Sequence, residues 1–92
     1  MNDDWIIRFE VWVLSDEPMG GHDRFIRSFE HYKPALAFAK GIAIRQENTC
    51  VQRVRYASER NLNRRFSFDS RFVWTKWMDG MDSEGDTRYA DE

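Results

Sequence analysis

Cysteine occurs once in the 92 residues, as Cys50, and proline twice, as Pro18 and Pro34. One cysteine excludes an internal disulfide framework. It fits a reducing, intracellular setting in which the core holds without a covalent staple. Histidine is scarce too: His22 follows a Gly-Gly pair, His31 precedes an expected helix, and no Cys or His pair has the spacing of a zinc half-site. Long hydrophobic runs are missing. The most apolar stretch, residues 5–14, contains Arg8 and Glu10, which makes it too short for a membrane span and too charged for a signal peptide. The expectation is a soluble, cytoplasmic chain.

Catalytic signatures are missing as well. Met19-Gly20-Gly21-His22 lacks the lysine and the following helix of a phosphate-binding loop. The run Asp82-Ser83-Glu84-Gly85-Asp86 lacks the twelve-residue ligand pattern of a calcium loop. Nucleophilic catalysis needs a base beside the nucleophile. Cys50 has none nearby in sequence and reads as a small buried hydrophobe. Nothing marks Glu10, Asp69 or the C-terminal acids as a catalytic carboxylate pair. These absences point to a non-enzymatic protein with no cofactor, no metal and no small-molecule substrate.

What is present is an apolar core and an uneven charge. Hydrophobic residues make up 41% of the chain and aromatic residues 15%. At this length roughly 65% of the unfolded surface is buried on folding, enough for one small domain. The net charge of −2 conceals three blocks: residues 1–32 carry −4, residues 33–78 carry +7 and residues 79–92 carry −5. Such patterning bears on partners more than on fold. The last block has little apolar content and reads as a flexible acidic tail over 79–92, behind a single domain over 1–78.

Along the chain, Asp4–Ser15 alternates with the two-residue period of a strand, with Trp5, Ile7, Phe9, Val11 and Val13 in one set. Pro18, Gly20 and Gly21 mark a turn, and Arg24–Phe29 forms the second strand of a hairpin. Ala35, Leu36, Phe38, Ala39, Ile42 and Ala43 follow helical spacing. Pro34 fits only the first turn, so the helix starts near residues 31–33, with His31 at the N-cap, and runs to about Asn48. Gly41 inside it suggests close approach to a sheet. Thr49–Ala57 and Arg65–Trp77 read as the third and fourth strands, joined by a polar loop, SERNLNR. Cys50, Val54 and Tyr56 fall in one set and Phe66, Phe68, Phe72 and Trp74 in another, both assigned to the core. The fold class is α+β, in the order ββαββ: a four-stranded antiparallel sheet with one helix packed on one face.

The opposite face would then carry Arg53, Arg55 and Arg71 to solvent, beside Ser67 and Thr75. Seven of the eleven arginines lie between residues 45 and 71: Arg45, Arg53, Arg55, Arg60, Arg64, Arg65 and Arg71. From Val51 to Phe68 there are five arginines and no lysine. Arginine gives planar, bidentate contact to phosphate or carboxylate that lysine does not. The candidate partner-binding residues are Arg53, Arg55, Arg60, Asn61, Asn63, Arg64, Arg65 and Arg71. The bland alternative pairs Arg53 and Arg55 with Glu10, Glu59 or Asp69 on the sheet, at about 0–1 kcal/mol per exposed pair. Exposed tryptophans, Trp12 and Trp77, would suit protein-interface anchors. The signature aromatics of RNA-recognition motifs and the GxxG loop of KH domains are absent.

In WIIRFEVWV, HYKPALAFAKGIA, VQRVRYASE and RFSFDSRFVWTKW the chain resembles the small phage-encoded anti-CRISPR proteins that inhibit type I-F complexes. The likeness covers residues 4–78 and consists of size, element order and charge. It implies a stoichiometric inhibitor in the bacterial host cell. Such a protein binds the CRISPR ribonucleoprotein at its target-DNA path, contacts protein subunits and guide RNA, and acts without catalysis. No site residue carries over. The residues alone leave two other readings open: a small nucleic-acid-binding phage regulator, and a homodimer paired through an exposed strand edge. Monomer is the expected state.

Overall fold

The two-residue alternation of the sequence builds the sheet. In the computed structural model, which describes residues 5–14, 23–44, 48–76 and 82–83, β1 (Ile6–Val13) pairs antiparallel with β2 (Arg24–Phe29). After α1 (Tyr32–Ala43), β3 (Thr49–Tyr56) returns to pair with β1. A short helix, α2 (Glu59–Asn63), leads to β4 (Asp69–Lys76), which pairs with β3. The result is the expected ββαββ sheet, ordered β2-β1-β3-β4. It is extended by a two-residue strand, β5 (Asp82–Ser83), beside β4. This pairing falls inside the segment expected to be a flexible tail; the rest of 79–92 lies outside the described residues. Also outside them are Arg45, Trp77 and the Pro18–Gly21 turn. Among the described residues no helix is long and apolar enough to cross a membrane.

Register settles which residues share a face. Ile7 opposes Arg55, Phe9 opposes Arg53 and Val11 opposes Val51. Phe9, Val11 and Val51 are fully buried with Tyr32, Ala35, Ala39 and Ala43 of α1, so this set faces the helix. Arg53 and Arg55 therefore stand on the helix side of the sheet, and Cys50, Val54 and Tyr56 are buried on the other side with Glu10. That is the reverse of the expected assignment. β1 and β3 are central strands buried on both faces, and alternation alone does not say which face receives the helix. Thr75, expected in solvent, is buried opposite Cys50, and Ser67 is exposed but precedes the strand.

β4 begins at Asp69, four residues after the expected start. The preceding segment is committed to a different backbone path. The Ser58 hydroxyl accepts the Asn61 N–H at 3.2 Å, capping α2. Arg65 takes φ 55°, the left-handed region, and the Phe66 N–H donates to the Asn61 carbonyl at 2.8 Å. Phe66 and Phe68, expected in the core, are 69% and 61% exposed. A bulge between Val51 and Gln52 then sets Phe72 opposite Gln52 but Trp74 opposite Val51. Equal parity thus gives opposite faces: Trp74 is in the core and Phe72 is half exposed on the second face.

α1 meets the sheet through Tyr32, Ala35, Ala39 and Ala43, so alanines supply the close approach expected of Gly41. His31 is the N-cap residue but makes no side-chain capping bond. The helix stops at Ala43, before Asn48, which adopts φ 44° just ahead of β3. Gly41 is exposed, and a Cβ there would meet no atom within 4 Å. Glycine in a helix interior costs about 1 kcal/mol relative to alanine. Gly41→Ala is therefore expected to stabilise the fold by about 0.5–1 kcal/mol, read as a higher urea midpoint with an unchanged m-value.

Candidate nucleic-acid interface

The eight arginine and asparagine positions separate into three groups. Arg53, Arg55 and Arg71 form the first. Arg53 opposes Arg71 and Arg55 opposes Asp69 across the β3–β4 ladder, all on the helix side. The Tyr32 ring lies 5.7 Å from that of Phe9, which fixes the start of α1 at the level of Arg53. Arg55 sits two residues farther along the strand, past that start.

Arg55 organises this end of the sheet. Its Nε donates to Asp69 Oδ1 at 2.8 Å and its Nη2 donates to Oδ2, a bidentate pair. Its guanidinium also lies 4.9 Å from the Trp5 ring centroid and 5.4 Å from that of Phe68. The two rings are themselves 4.6 Å apart, tilted at 39°. The pairing of Arg55 with an acid, one of the two sequence alternatives, is thus realised at Asp69. The Arg55 hydrogen bond, with further help from the charges of Arg71 and Arg53, holds the Asp69 carboxyl below the usual range. Three guanidiniums act on the Asp69 carboxylate beside an aromatic stack.

Arg60, Asn61, Asn63 and Arg64 form the second group, on α2 at the same end of β3. Arg60, Asn63 and Arg64 are exposed, and Asn61 is half-buried, tied by its N–H to Ser58 and by its carbonyl to Phe66. Exposed Phe66 and Phe68 follow directly. Cations that track a backbone, with aromatic faces on which bases stack, are what single-stranded nucleic acid binds.

Arg65 stands apart from both groups. Its guanidinium lies 3.4 Å from the Phe25 ring centroid, and Nη1 is 3.5 Å from Glu10 Oε2, on the second face of the sheet. Glu10 is only 2% exposed. It accepts the Tyr56 hydroxyl and, at 3.1 Å, the Trp12 indole N–H. Trp12, expected as an exposed anchor, is half-buried edge-on to Phe25. Sequence reasoning placed Arg65 in the binding cluster and overlooked this network. The one available signal was an acid in the middle of the most apolar strand.

Two buried acids report on that face. Burial, reinforced by the Glu10 carboxylate, pushes the Tyr56 phenol up to about 12, and burial pushes the Cys50 thiol up to about 11. Both pKa values are raised on folding, so their contribution is complete below the unfolded values of about 9 and 10. It is lost as pH rises through 11 and 12. Stability is expected to hold up to about pH 9 and fall steeply by pH 12, as read by urea midpoints. At pH 8 native Cys50 is expected to resist iodoacetamide and to react only on unfolding.

Among the described residues no three His, Cys, Asp or Glu side chains are grouped to hold a metal ion. Comparisons with protein families, with curated proteins and with solved structures find no match to this chain.

Proposed function

We propose that the chain is a non-catalytic binding protein whose β3–β4 hairpin engages single-stranded RNA carried by a ribonucleoprotein. The observation that carries this reading is the clustering of Arg53, Arg55 and Arg71 about the Asp69 carboxylate, beside exposed Phe66 and Phe68. Phosphate answers the guanidiniums and base faces answer the rings. Arg60 and Arg64 extend the positive surface along α2.

The resemblance to phage inhibitors supplies the particular case. The partner is a type I-F CRISPR surveillance complex in the bacterial cytoplasm, and bound protein sterically blocks target-DNA recognition. Pull-down with tagged protein from cells carrying that complex tests it: the complex should co-purify and CRISPR immunity should fall. No captured complex with immunity intact rejects the case. A second reading, a regulator of free nucleic acid, is favoured by the exposure of both phenylalanines. It predicts tight binding to naked oligonucleotide with no protein subunit present.

A further inference from the structure

The sheet edge farthest from the arginine surface carries a second feature. Among the described residues β2 is the outermost strand on its side, next to β1 only. Between β2 and the C-terminal half of α1 runs an open groove of about 570 Å³, lined by Ile26, Phe38, Gly41, Ile42, Ile44 and Arg24. A volume of this size is that of a ligand site rather than a packing defect.

Three independent observations give the groove a purpose. The β1–β2 register skips Ile26, because Val11 opposes Arg27 and Trp12 opposes Phe25; this extra residue is one that lines the groove. Gly41 sits on the groove where a side chain would meet nothing of the chain itself, so the helix bears the cost of glycine without any gain in its own packing. Ile44 stands at the rim 83% exposed. Of the residues that line the groove the charged one is Arg24, which is exposed, and Arg27 lies on the same strand, its guanidinium 5.0 Å from the Phe29 and 5.4 Å from the Phe38 ring centroids.

We propose that this groove is a docking site for an extended acidic peptide of a partner protein. The peptide adds as a strand to the β2 edge, inserts a bulky apolar side chain over Gly41 and sets its carboxylates against Arg24 and Arg27. Strand addition takes affinity from main-chain hydrogen bonds and specificity from the pocket beside the strand. The cationic rim selects acidic sequences. The site is separate from the β3–β4 surface and stands whether or not that surface binds RNA.

The test is an amide chemical-shift titration of the full chain. The probe is the capped peptide Asp-Phe-Asp-Val-Asp-Phe-Glu, with its all-lysine counterpart as control. Shifts are expected on Arg24–Phe29 and on residues 37–44. The lysine peptide should not bind. Affinity should fall at least about tenfold in Arg24→Glu and in Gly41→Leu, whose Cβ has open space and whose branched end takes up room in the groove. Four results would overturn the proposal: no shifts; shifts confined to the β3–β4 hairpin; undiminished affinity in folded Gly41→Leu; or a dimer through β2 without peptide, seen as a doubled sedimentation mass.

Discussion

Phe66→Ala combined with Phe68→Ala is expected to weaken binding of single-stranded RNA at least about 30-fold, while the fold survives. Base–aromatic stacking is worth about 1–3 kcal/mol per base, and two rings give about 2 kcal/mol at the lower bound. Both side chains are mostly exposed, so little core packing is lost with them. Trp5 and Arg55 still stack on each other, since their 4.9 Å contact does not need Phe68. Arg53→Gln with Arg71→Gln is the electrostatic counterpart. These residues are direct cross-strand neighbours of like charge, an arrangement that costs stability. That repulsion offsets the attraction of both residues to Asp69, so their replacement should move the melting temperature little, yet lower RNA affinity and flatten its salt dependence. A surface kept only for solubility would show neither the loss of affinity nor the flatter salt dependence.

The second large effect concerns Glu10. Glu10→Ala removes the acceptor of the Tyr56 hydroxyl and of the Trp12 N–H, and the anion beside Arg65. Tyr56 is buried, so its hydroxyl is left without a bond in a dry site. A buried donor stranded in this way costs about 1–3 kcal/mol. The expected total is about 2–4 kcal/mol, a fall of roughly 10–30 °C in Tm for a domain of this size. Tyr56→Phe should cost less, about 1–2 kcal/mol, because it removes donor and desolvation together and leaves the Trp12 bond. The double variant should be little worse than Glu10→Ala alone, since both changes act on one network. Additive losses in thermal melts would contradict the network.

Strand positions were legible because β1 and β3 keep a clean period of two, and the amphipathic run around Ala35–Ala43 reads as one helix; in β2 the extra residue Ile26 breaks the period, so Phe25 and Phe29 fall on opposite faces. What sequence could not supply was orientation. In β3 both residue sets are buried, Val51 against α1 and Cys50, Val54 and Tyr56 against the second face. Alternation identified the sets and misassigned the faces. FSFDSRFVW has the period of a strand from Phe66 onward, but the left-handed turn at Arg65 and the bond from Phe66 back to Asn61 hold its first residues out of the sheet. The bulge at Val51/Gln52 then breaks parity between Phe72 and Trp74. The candidate site was legible as a concentration of arginine. Its internal division was not, because Arg65 meets Glu10, 55 residues earlier in the chain, through tertiary contact alone. Those same phenylalanines, exposed rather than in the core, supply the aromatic faces of the proposed RNA-binding surface.

The proposed engagement of RNA by the β3–β4 hairpin is tested most directly by titrating a fluorescein-labelled ten-nucleotide single-stranded RNA at several salt concentrations. If Arg53, Arg60, Arg64 and Arg71 each neutralise one phosphate, log affinity should fall against log salt with a slope of about −3, at about −0.7 per phosphate. The slope should drop to about −1.5 in the Arg53→Gln, Arg71→Gln variant. Undetectable binding at low salt, or binding indifferent to both salt and this substitution, would contradict it.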